Sequence, residues 1–259
     1  MRRYWLEPTS LTNNHFEITG DIFQHIFVVC RQDVGSQFEI LVGDHKAYLV
    51  RVTAKDKKSA TAEIISVREV EVLPKPHLNL ILSLCKYPVM DSVIERAVEL
   101  GVQSIQIVYS DFSFLQTDLP KAKLERWEKI IVSATQQSGR GSRMALRAPL
   151  PLVKILTQTI NQDPAVLCLF AYEGAGEPLR ERLQFEKARL NEIQGGAENA
   201  SVQEIKIFLG SEGGYSAAEV NRFKDLDIQP VTLGSKVLRV ETACLALVSV
   251  LKYEFGIMR

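Results

Sequence analysis

Residues 205–256 read IKIFLGSEGGYSAAEVNRFKDLDIQPVTLGSKVLRVETACLALVSVLKYEFG, and the rest of the chain is organised around them. Two apolar runs, 205–209 and 228–233, each lead into a glycine-bearing loop followed by a helical pattern. A strand that delivers backbone into a glycine turn and then a helix start is how α/β proteins build small-molecule sites at the carboxyl edge of a sheet. Two such turns this close in sequence are expected to converge on one pocket.

In the first turn, Gly210, Gly213 and Gly214 supply positive φ or room for a ligand against the backbone. Ser216 with Glu219 has the S-x-x-E pattern of a capping box, which predicts a helix start. The GSEGG spacing is not the dinucleotide fingerprint G-x-G-x-x-G, and no Lys-Ser/Thr follows to make a P-loop. Alone, this turn fits an ordinary strand–turn–helix connection as well as a ligand loop. The second turn is odder. It runs Leu233-Gly234-Ser235-Lys236-Val237-Leu238-Arg239, with apolar side chains where turn chemistry is normally polar. Val237 and Leu238 are expected to cover something flat and apolar. Glu241 and Thr242 then open a helix that is apolar on nearly every face, which places it in a core, in a subunit interface, or in both.

LGSEGG…E followed by LG-x-x-VLR-x-ETA resembles the C-terminal signature of the bacterial 16S ribosomal RNA uracil-N3 methyltransferases (the RsmE type), members of the SPOUT class. The resemblance implies an α/β fold with a trefoil-knotted, mostly parallel sheet flanked by helices, preceded by a small PUA-like β-barrel that binds RNA. It implies S-adenosyl-L-methionine as cofactor, 16S ribosomal RNA or the small ribosomal subunit as partner, and a homodimer. Adenine is expected among three loops, against Leu233, Val237 and Leu238, with backbone around Gly210 and Gly234 taking its polar edges. Glu212, Gly213 and Thr242 are assigned to the same site, and the strand-end residues Leu169 and Phe170 lead into the third loop, 171–176. Uracil N3 carries a proton at neutral pH, so the family's reaction needs that proton removed. Arg239 is expected to stabilise charge on the uracil oxygens and Glu241 to accept the proton or orient Arg239. The same two residues equally suit a structural pair holding the loop.

Upstream, the chain changes character once. Residues 37–42, 47–53 and 61–67 alternate apolar and polar between turns, a meander of hairpins. Ile22, Ile26 and Val29 recur at helical spacing, with Asp21 as N-cap. Residues 20–35 resemble the family's HH-x-x-VLR-x-x-x-G segment, with Gln24-His25 and Cys30-Arg31 in the matching places, and His25 reads as a surface or half-buried residue. Leu73-Pro74-Lys75-Pro76 reads as a stiff linker, which divides the chain into domains 1–73 and 74–259. Beyond it strands alternate with helices: an apolar strand over 77–85, a helix capped by Asp91 and ended by Gly101, a strand over 104–109, and another over 165–170. The helix before Gly101 resembles the family's corresponding helix, with Arg96 in place of its lysine. Residues 178–190 read as a charged helix and 194–200 as a surface loop.

Residues 119–138 form an amphipathic helix with Trp127, Ile130, Ile131 and Ala134 on one stripe, running into a loop that extends to Pro149. Over 120–147 seven basic side chains face two acidic ones, an electrostatic footprint for phosphate or a solvated helix face. The resemblance places this segment on the RNA side, so that Arg140 and Arg143 join Arg2 and Arg31 as expected RNA contacts. Gln136 stands where the family has Glu, and Ser211 where it has Pro.

Formal charge is zero, with 31 basic and 31 acidic residues, and 46% of the 259 residues are hydrophobic. The composition is that of a globular protein, with no apolar run of the roughly 18 residues a membrane helix needs. No apolar region follows MRRYW to make a signal peptide. Four dispersed cysteines without CxxC or metal-ligand spacing point to buried thiols in a reducing cytoplasm and to no metal. Two other readings stay open: a catalytically impaired RNA-binding assembly factor of the same fold, motivated by Ser211 and Gln136, and an unrelated small-molecule α/β enzyme. Binding of S-adenosylmethionine separates the latter from both others.

Overall fold

The computed structural model describes residues 1–12, 14–159, 165–174, 176–193 and 202–258. Ala175 and the 194–200 loop read from the sequence lie outside the described residues. Two compact units form: Met1–Val72 with Val132–Arg143, and Leu73–Ile131 with Met144–Arg259. Among the described residues no helix is long and apolar enough to cross a membrane.

The first unit is a six-stranded sheet of β1 (Arg3–Trp5), β2 (Leu11–Thr12), β3 (His15–Thr19), β4 (Gln37–Leu41), β5 (Lys46–Lys55) and β6 (Ser59–Glu69), in the order β1-β4-β5-β6-β3-β2. All pairs are antiparallel except β1 with β4. Register shifts between β5 and β6 at Leu49/Val50 and Val52/Ala54 curl the sheet. Inside the curl, Phe16, Ile18, Phe38, Ile40, Val50 and Val52 make the core. Helix α1 (Gly20–Phe23) takes Thr19 as N-cap, leaving Asp21 in the first turn. It continues as a π-turn over Gln24–Val29, closed by the Cys30 N–H on the His25 carbonyl at 2.9 Å. Bonding five residues back shifts the buried stripe to Phe23, Ile26 and Phe27 and turns Val29 to solvent, so the regular helical spacing expected of Ile22, Ile26 and Val29 does not hold.

On β4, the largely buried Glu39 accepts from Arg68 Nε at 2.8 Å and from Arg3 Nε at 2.5 Å. The hydrogen bonds from Arg68 and then Arg3 outweigh desolvation and hold its carboxyl down to about 2. Val132–Arg143 joins this unit through Arg143, which lies 4.0 Å from Glu7 Oε1 and 5.9 Å from the Trp5 ring centre. A contiguous reading of the chain places that segment with the second domain.

The second unit has seven parallel strands: β7 (His77–Ser83), β8 (Ser104–Tyr109), β9 (Ala145–Pro151), β10 (Val166–Ala171), β11 (Glu177–Pro178), β12 (Glu204–Leu209) and β13 (Pro230–Thr232). Their order is β11-β13-β10-β12-β7-β8-β9. Inner strands covered on both faces by helices need no polar face, which explains the near-continuous apolar runs of β7, β8 and β12. The helices are α2 (Tyr87–Glu99), α3 (Lys121–Ser138), α4 (Leu152–Thr159), α5 (Leu179–Ile193), α6 (Ala217–Asp225) and α7 (Val240–Glu254). β9 begins inside the loop read as extending to Pro149, and α4 follows directly on it. β9 contains Pro149 and Pro151, tolerated because it pairs on one side only, with β8.

Helix α2 begins one turn earlier than the sequence suggests, with Lys86 as N-cap and Pro88 in the first turn. Asp91 is therefore an interior residue. It accepts from Trp127 Nε1–H at 2.9 Å and from Arg126 Nη2 at 2.8 Å, fixing the buried face of α3. Beyond β13 the chain returns across the unit, and α7 packs on α2 through a face that includes Cys244, Leu247 and Leu251. Val250 and Tyr253 remain on its open side, so this apolar helix is not covered all round within one chain. Burial pushes the Cys168 and Cys244 thiols up to about 12, and Cys85 higher still, which makes them inert.

Two consequences are measurable. Trp127 is 0% exposed, so Trp127→Ala is expected to lose about 3–5 kcal/mol in urea unfolding. Trp127→Phe, which removes chiefly the Asp91 bond, is expected to lose about 1–3 kcal/mol. Glu39 has a folded pKa below its ordinary 4.5, so its contribution is complete above 4.5 and disappears as the pH falls through about 2. Glu39→Gln should therefore lower stability at neutral pH and flatten the acid limb of a stability–pH curve; an unchanged limb would show that the Arg3–Glu39–Arg68 cluster contributes nothing.

Candidate functional site

Strand order decides where the glycine turns meet. β13, β10 and β12 are neighbours, and parallel pairing points all their carboxyl ends one way. Their three loops enclose a cleft of about 680 Å³, within the range of small-molecule sites. The loop after β12 contributes Gly210, Ser211, Glu212 and Gly214, and the loop after β13 contributes the whole run from Leu233 to Arg239. Ala171, Tyr172, Glu173 and Gly174 form the third wall.

The first loop folds tightly on itself. The Gly214 N–H reaches the Ser211 carbonyl at 2.9 Å, and a Cβ on Gly210 would stand 2.9 Å from Gly214 backbone. Only glycine fits there. Ser216 caps α6 as expected: its Oγ accepts from the Glu219 N–H at 3.2 Å, and Glu219 Oε2 accepts from the Ser216 N–H at 2.9 Å. The other oxygen, Oε1, takes the Asp111 N–H at 2.9 Å, which ties α6 to the segment after β8. Glu212 Oε1 accepts from the Lys86 N–H at 3.1 Å, placing a carboxylate at the N-terminus of α2.

In the second loop, Thr232 Oγ1 accepts from the Gly234 N–H at 3.3 Å and donates to its carbonyl at 3.0 Å. Gly234 has φ +118, a conformation side chains rarely adopt, and a Cβ there would point into open space. Val237 is 78% exposed and Leu238 half-buried, so apolar surface faces the cleft without protein cover. Arg239 is the N-cap of α7, with Glu241 in its first turn. Among the described residues neither side chain forms a hydrogen bond or ion pair, so the structural-pair alternative for Arg239 and Glu241 has no contact behind it. Lys86, Lys236 and Arg239 set three cations around the opening against Glu173, Glu212 and Glu241.

Of the cofactor residues expected from sequence, Gly210, Glu212, Leu233, Gly234, Val237 and Leu238 line the cleft, as do Arg239 and Glu241. Leu169, Phe170, Gly213 and Thr242 do not. Leu169 and Phe170 lie within β10, where Phe170 stacks on Phe223 at 4.3 Å in the core. Gly213 faces Phe112, and Thr242 points to solvent from α7. Lys86 and Val89 are cleft residues that sequence reading missed. Their signal is strand order: β7 neighbours β12, so the residues after β7 reach the same edge. Among the described residues no group of three His, Cys, Asp or Glu side chains is placed to hold a metal.

The expected RNA contacts separate. In the first unit, Arg2 is exposed and donates from Nη1 to the Cys30 carbonyl at 2.9 Å, next to exposed Arg31 with φ 54. Arg143 lies over Trp5. Arg140 does not meet the expectation: it is only 9% exposed, and burial pushes its guanidinium down to about 10. Its Nε and Nη2 have almost no exposed surface.

Residues 72–252 match the family model of the RNA methyltransferase domain, and residues 18–65 that of the RNA methyltransferase PUA domain. The chain is 31% identical to ribosomal RNA small subunit methyltransferase E of Mesomycoplasma hyopneumoniae over 91% of its own length and 93% of that protein's. With the Bacillus subtilis protein of the same name it shares 27% identity over 100% and 99% of the two chains. Among solved structures, ribosomal RNA small subunit methyltransferase E of Neisseria gonorrhoeae bound to S-adenosyl methionine superposes with a TM-score of 0.78 at 26% identity, covering 98% and 97% of the chains. A Legionella pneumophila methyltransferase with bound cofactor superposes at 0.81 with 25% identity, over 97% and 96%. The two-unit architecture, the cleft at the sheet's carboxyl edge and these matches along nearly the full length make the chain a member of the RNA methyltransferase family, of the ribosomal RNA small subunit methyltransferase E type.

Proposed function

We propose that this protein uses S-adenosyl-L-methionine to methylate N3 of a uridine in the 16S ribosomal RNA of the small subunit, acting in the cytoplasm as a homodimer with a threaded, knotted chain. The observation that carries this reading is a cleft bounded by apolar side chains, exposed Val237 among them, and completed by an Arg and a Glu that have no side-chain partners among the described residues. The cleft's own chemistry fits the cofactor. Val237, Leu238 and Leu233 offer apolar cover to a flat ring, and the open space at Gly234 admits it against the backbone. Carboxylates and ammonium groups among the lining side chains suit a ligand carrying an amine, a carboxylate and a sulfonium.

Bound there, S-adenosylmethionine supplies an electrophilic methyl group on a positively charged sulfur. The protein's part is to make uracil N3 nucleophilic. Arg239, whose backbone caps the start of α7, stabilises with its guanidinium the negative charge that spreads onto the uracil oxygens as N3 loses its proton. Glu241, two residues on, accepts that proton. The loop 233–239 excludes water from the ring face, and Glu212 holds the glycine turn on α2. Dimerisation draws support from the uncovered side of α7 around Val250 and Tyr253. Knotting draws support from the return of the chain after β13 to pack on α2.

Arg239→Ala is expected to cut methyl transfer to small ribosomal subunits about 10²–10³-fold while leaving cofactor affinity intact. Glu241→Gln is expected to cost roughly 10²–10⁴ in kcat. Site-resolved mass spectrometry of the RNA reads both, and near-normal turnover in either variant would remove that residue from the chemistry. Gly234→Val puts a branched side chain at φ +118 in the cleft. Titration calorimetry should show S-adenosylmethionine binding abolished without loss of the thermal unfolding transition.

A further inference from the structure

Next to the cleft, residues 110–120 after β8 present two aromatic rings to solvent. Phe112 is 52% and Phe114 44% exposed. Large apolar side chains on a loop are normally absent or mobile, but this loop is pinned at several points. Ser110 and Ser113 bond to each other, and Gln116 Nε2 donates to the Ser110 and Asp111 carbonyls at 3.0 Å. Asp111 takes part through its N–H on Glu219 and its carboxylate under the Ser216 hydroxyl. The clamp nearest the cleft is Ser211, whose Oγ–H donates to the Phe112 carbonyl at 2.5 Å. Ser211 itself lines the cleft. Gly213 lets the loop close down, since a Cβ there would lie 3.0 Å from Phe112 Cβ.

On the Phe112 side the Asp111 carboxylate is taken up by the Ser216 hydroxyl, and on the Phe114 side lysines gather around Tyr87. Phe114 meets Tyr87 edge-on at 5.3 Å, and Lys123 Nζ lies 4.1 Å over the Tyr87 ring. Exposed Lys86 adjoins Tyr87 and lines the cleft. Two exposed rings on a pinned loop, with ammonium groups on the Phe114 side, suit a ligand with flat apolar faces on an anionic backbone. That is an unpaired stretch of RNA, whose bases stack on aromatic side chains whatever their identity.

We propose that Phe112 and Phe114 are a stacking platform for an unpaired base of the RNA substrate, held in register with the methyl-transfer cleft by the Ser211 hydroxyl. This assignment rests on the reading of the cleft as an RNA methyltransferase site. A base held there neighbours the target nucleotide and keeps the RNA strand from re-pairing while the target is presented.

The test uses the full-length protein with Phe112→Ala, Phe114→Ala, the double variant, Phe112→Leu and Phe112→Trp. Three quantities are read: S-adenosylmethionine affinity by calorimetry, binding of a 5-iodouridine-substituted single-stranded RNA by anisotropy and photocrosslink mapping, and kcat and KM on small ribosomal subunits. The alanine variants should weaken single-stranded RNA binding and raise the RNA KM roughly 5- to 100-fold each, with cofactor affinity unchanged. Trp should restore binding and Leu should not, because a flat ring and not apolar bulk is needed. Crosslinks should map to 112–114 in the unsubstituted protein. Unchanged RNA binding with crosslinks elsewhere overturns the platform. So does Leu restoring binding as well as Trp. A defect on assembled subunits without one on free RNA would assign the rings to a protein neighbour and overturn it too. If the unsubstituted protein binds no S-adenosylmethionine, the cleft's assignment falls, whereas the crosslink map still decides whether the rings meet RNA.

Discussion

At Gly210 the chain leaves β12 and comes back on itself so closely that a single added carbon would sit 2.9 Å from the backbone of Gly214. That close approach organises the site. The tight turn carries Glu212 to the N-terminus of α2, Ser211 to the carbonyl of Phe112, and Ser216 to the start of α6. Two segments far away in sequence, and the helix that follows the turn, are thus fixed to one another by hydrogen bonds radiating from seven residues. A larger residue at Gly210 would open the turn and release all three. The stability of the cleft walls is in this sense a property of one backbone contact, and the bond from buried Ser211 replaces water that its hydroxyl has lost on folding.

A second constraint acts on the opposite wall. Thr232 holds Gly234 at positive φ, and the loop then runs to the N-cap of α7 with Val237 exposed and Leu238 half-buried. Leaving such side chains exposed costs hydrophobic stabilisation that the fold does not recover on its own. The arrangement is economical only when a ligand completes the burial, which is why an apolar loop beside an Arg and a Glu with no partners among the described residues is informative about function. Rigid surroundings keep these groups in place: the loop is anchored at one end by β13 in the sheet and at the other by α7 packed on α2.

The first unit follows a different logic. Its small sheet curls around a core of aromatic and β-branched residues and uses bulges to bend, with Glu39 neutralising two arginines on its surface. The π-turn after α1 turns Val28 and Val29 outward beside Arg31. Regular helical spacing misses this, because one wider turn rotates every later side chain. Arg140 shows the same limit for charge. Counting basic residues over 120–147 locates a cationic segment, yet which guanidinium meets solvent depends on how the chain around it packs.

Local physics was legible in the amino-acid order. The capping box at Ser216 and Glu219, the glycine turn after β12, the buried parallel strands and the apolar VLR loop all depend on interactions within a few residues, so their sequence patterns survive into the structure. Six of the ten expected cofactor residues, and both expected catalytic ones, line the cleft for that reason. Tertiary structure alone decided the rest. Lys86 and Val89 reach the cleft because β7 pairs with β12 across more than a hundred residues of chain, while Phe170, one position short of the loop, is drawn into the core by Phe223. Asp91 serves Trp127 instead of a helix start, and prolines in β9 are accepted because that strand has a free edge. Strand order and side-chain burial are set by minimising exposed apolar surface over the whole unit, and no window of sequence contains that sum.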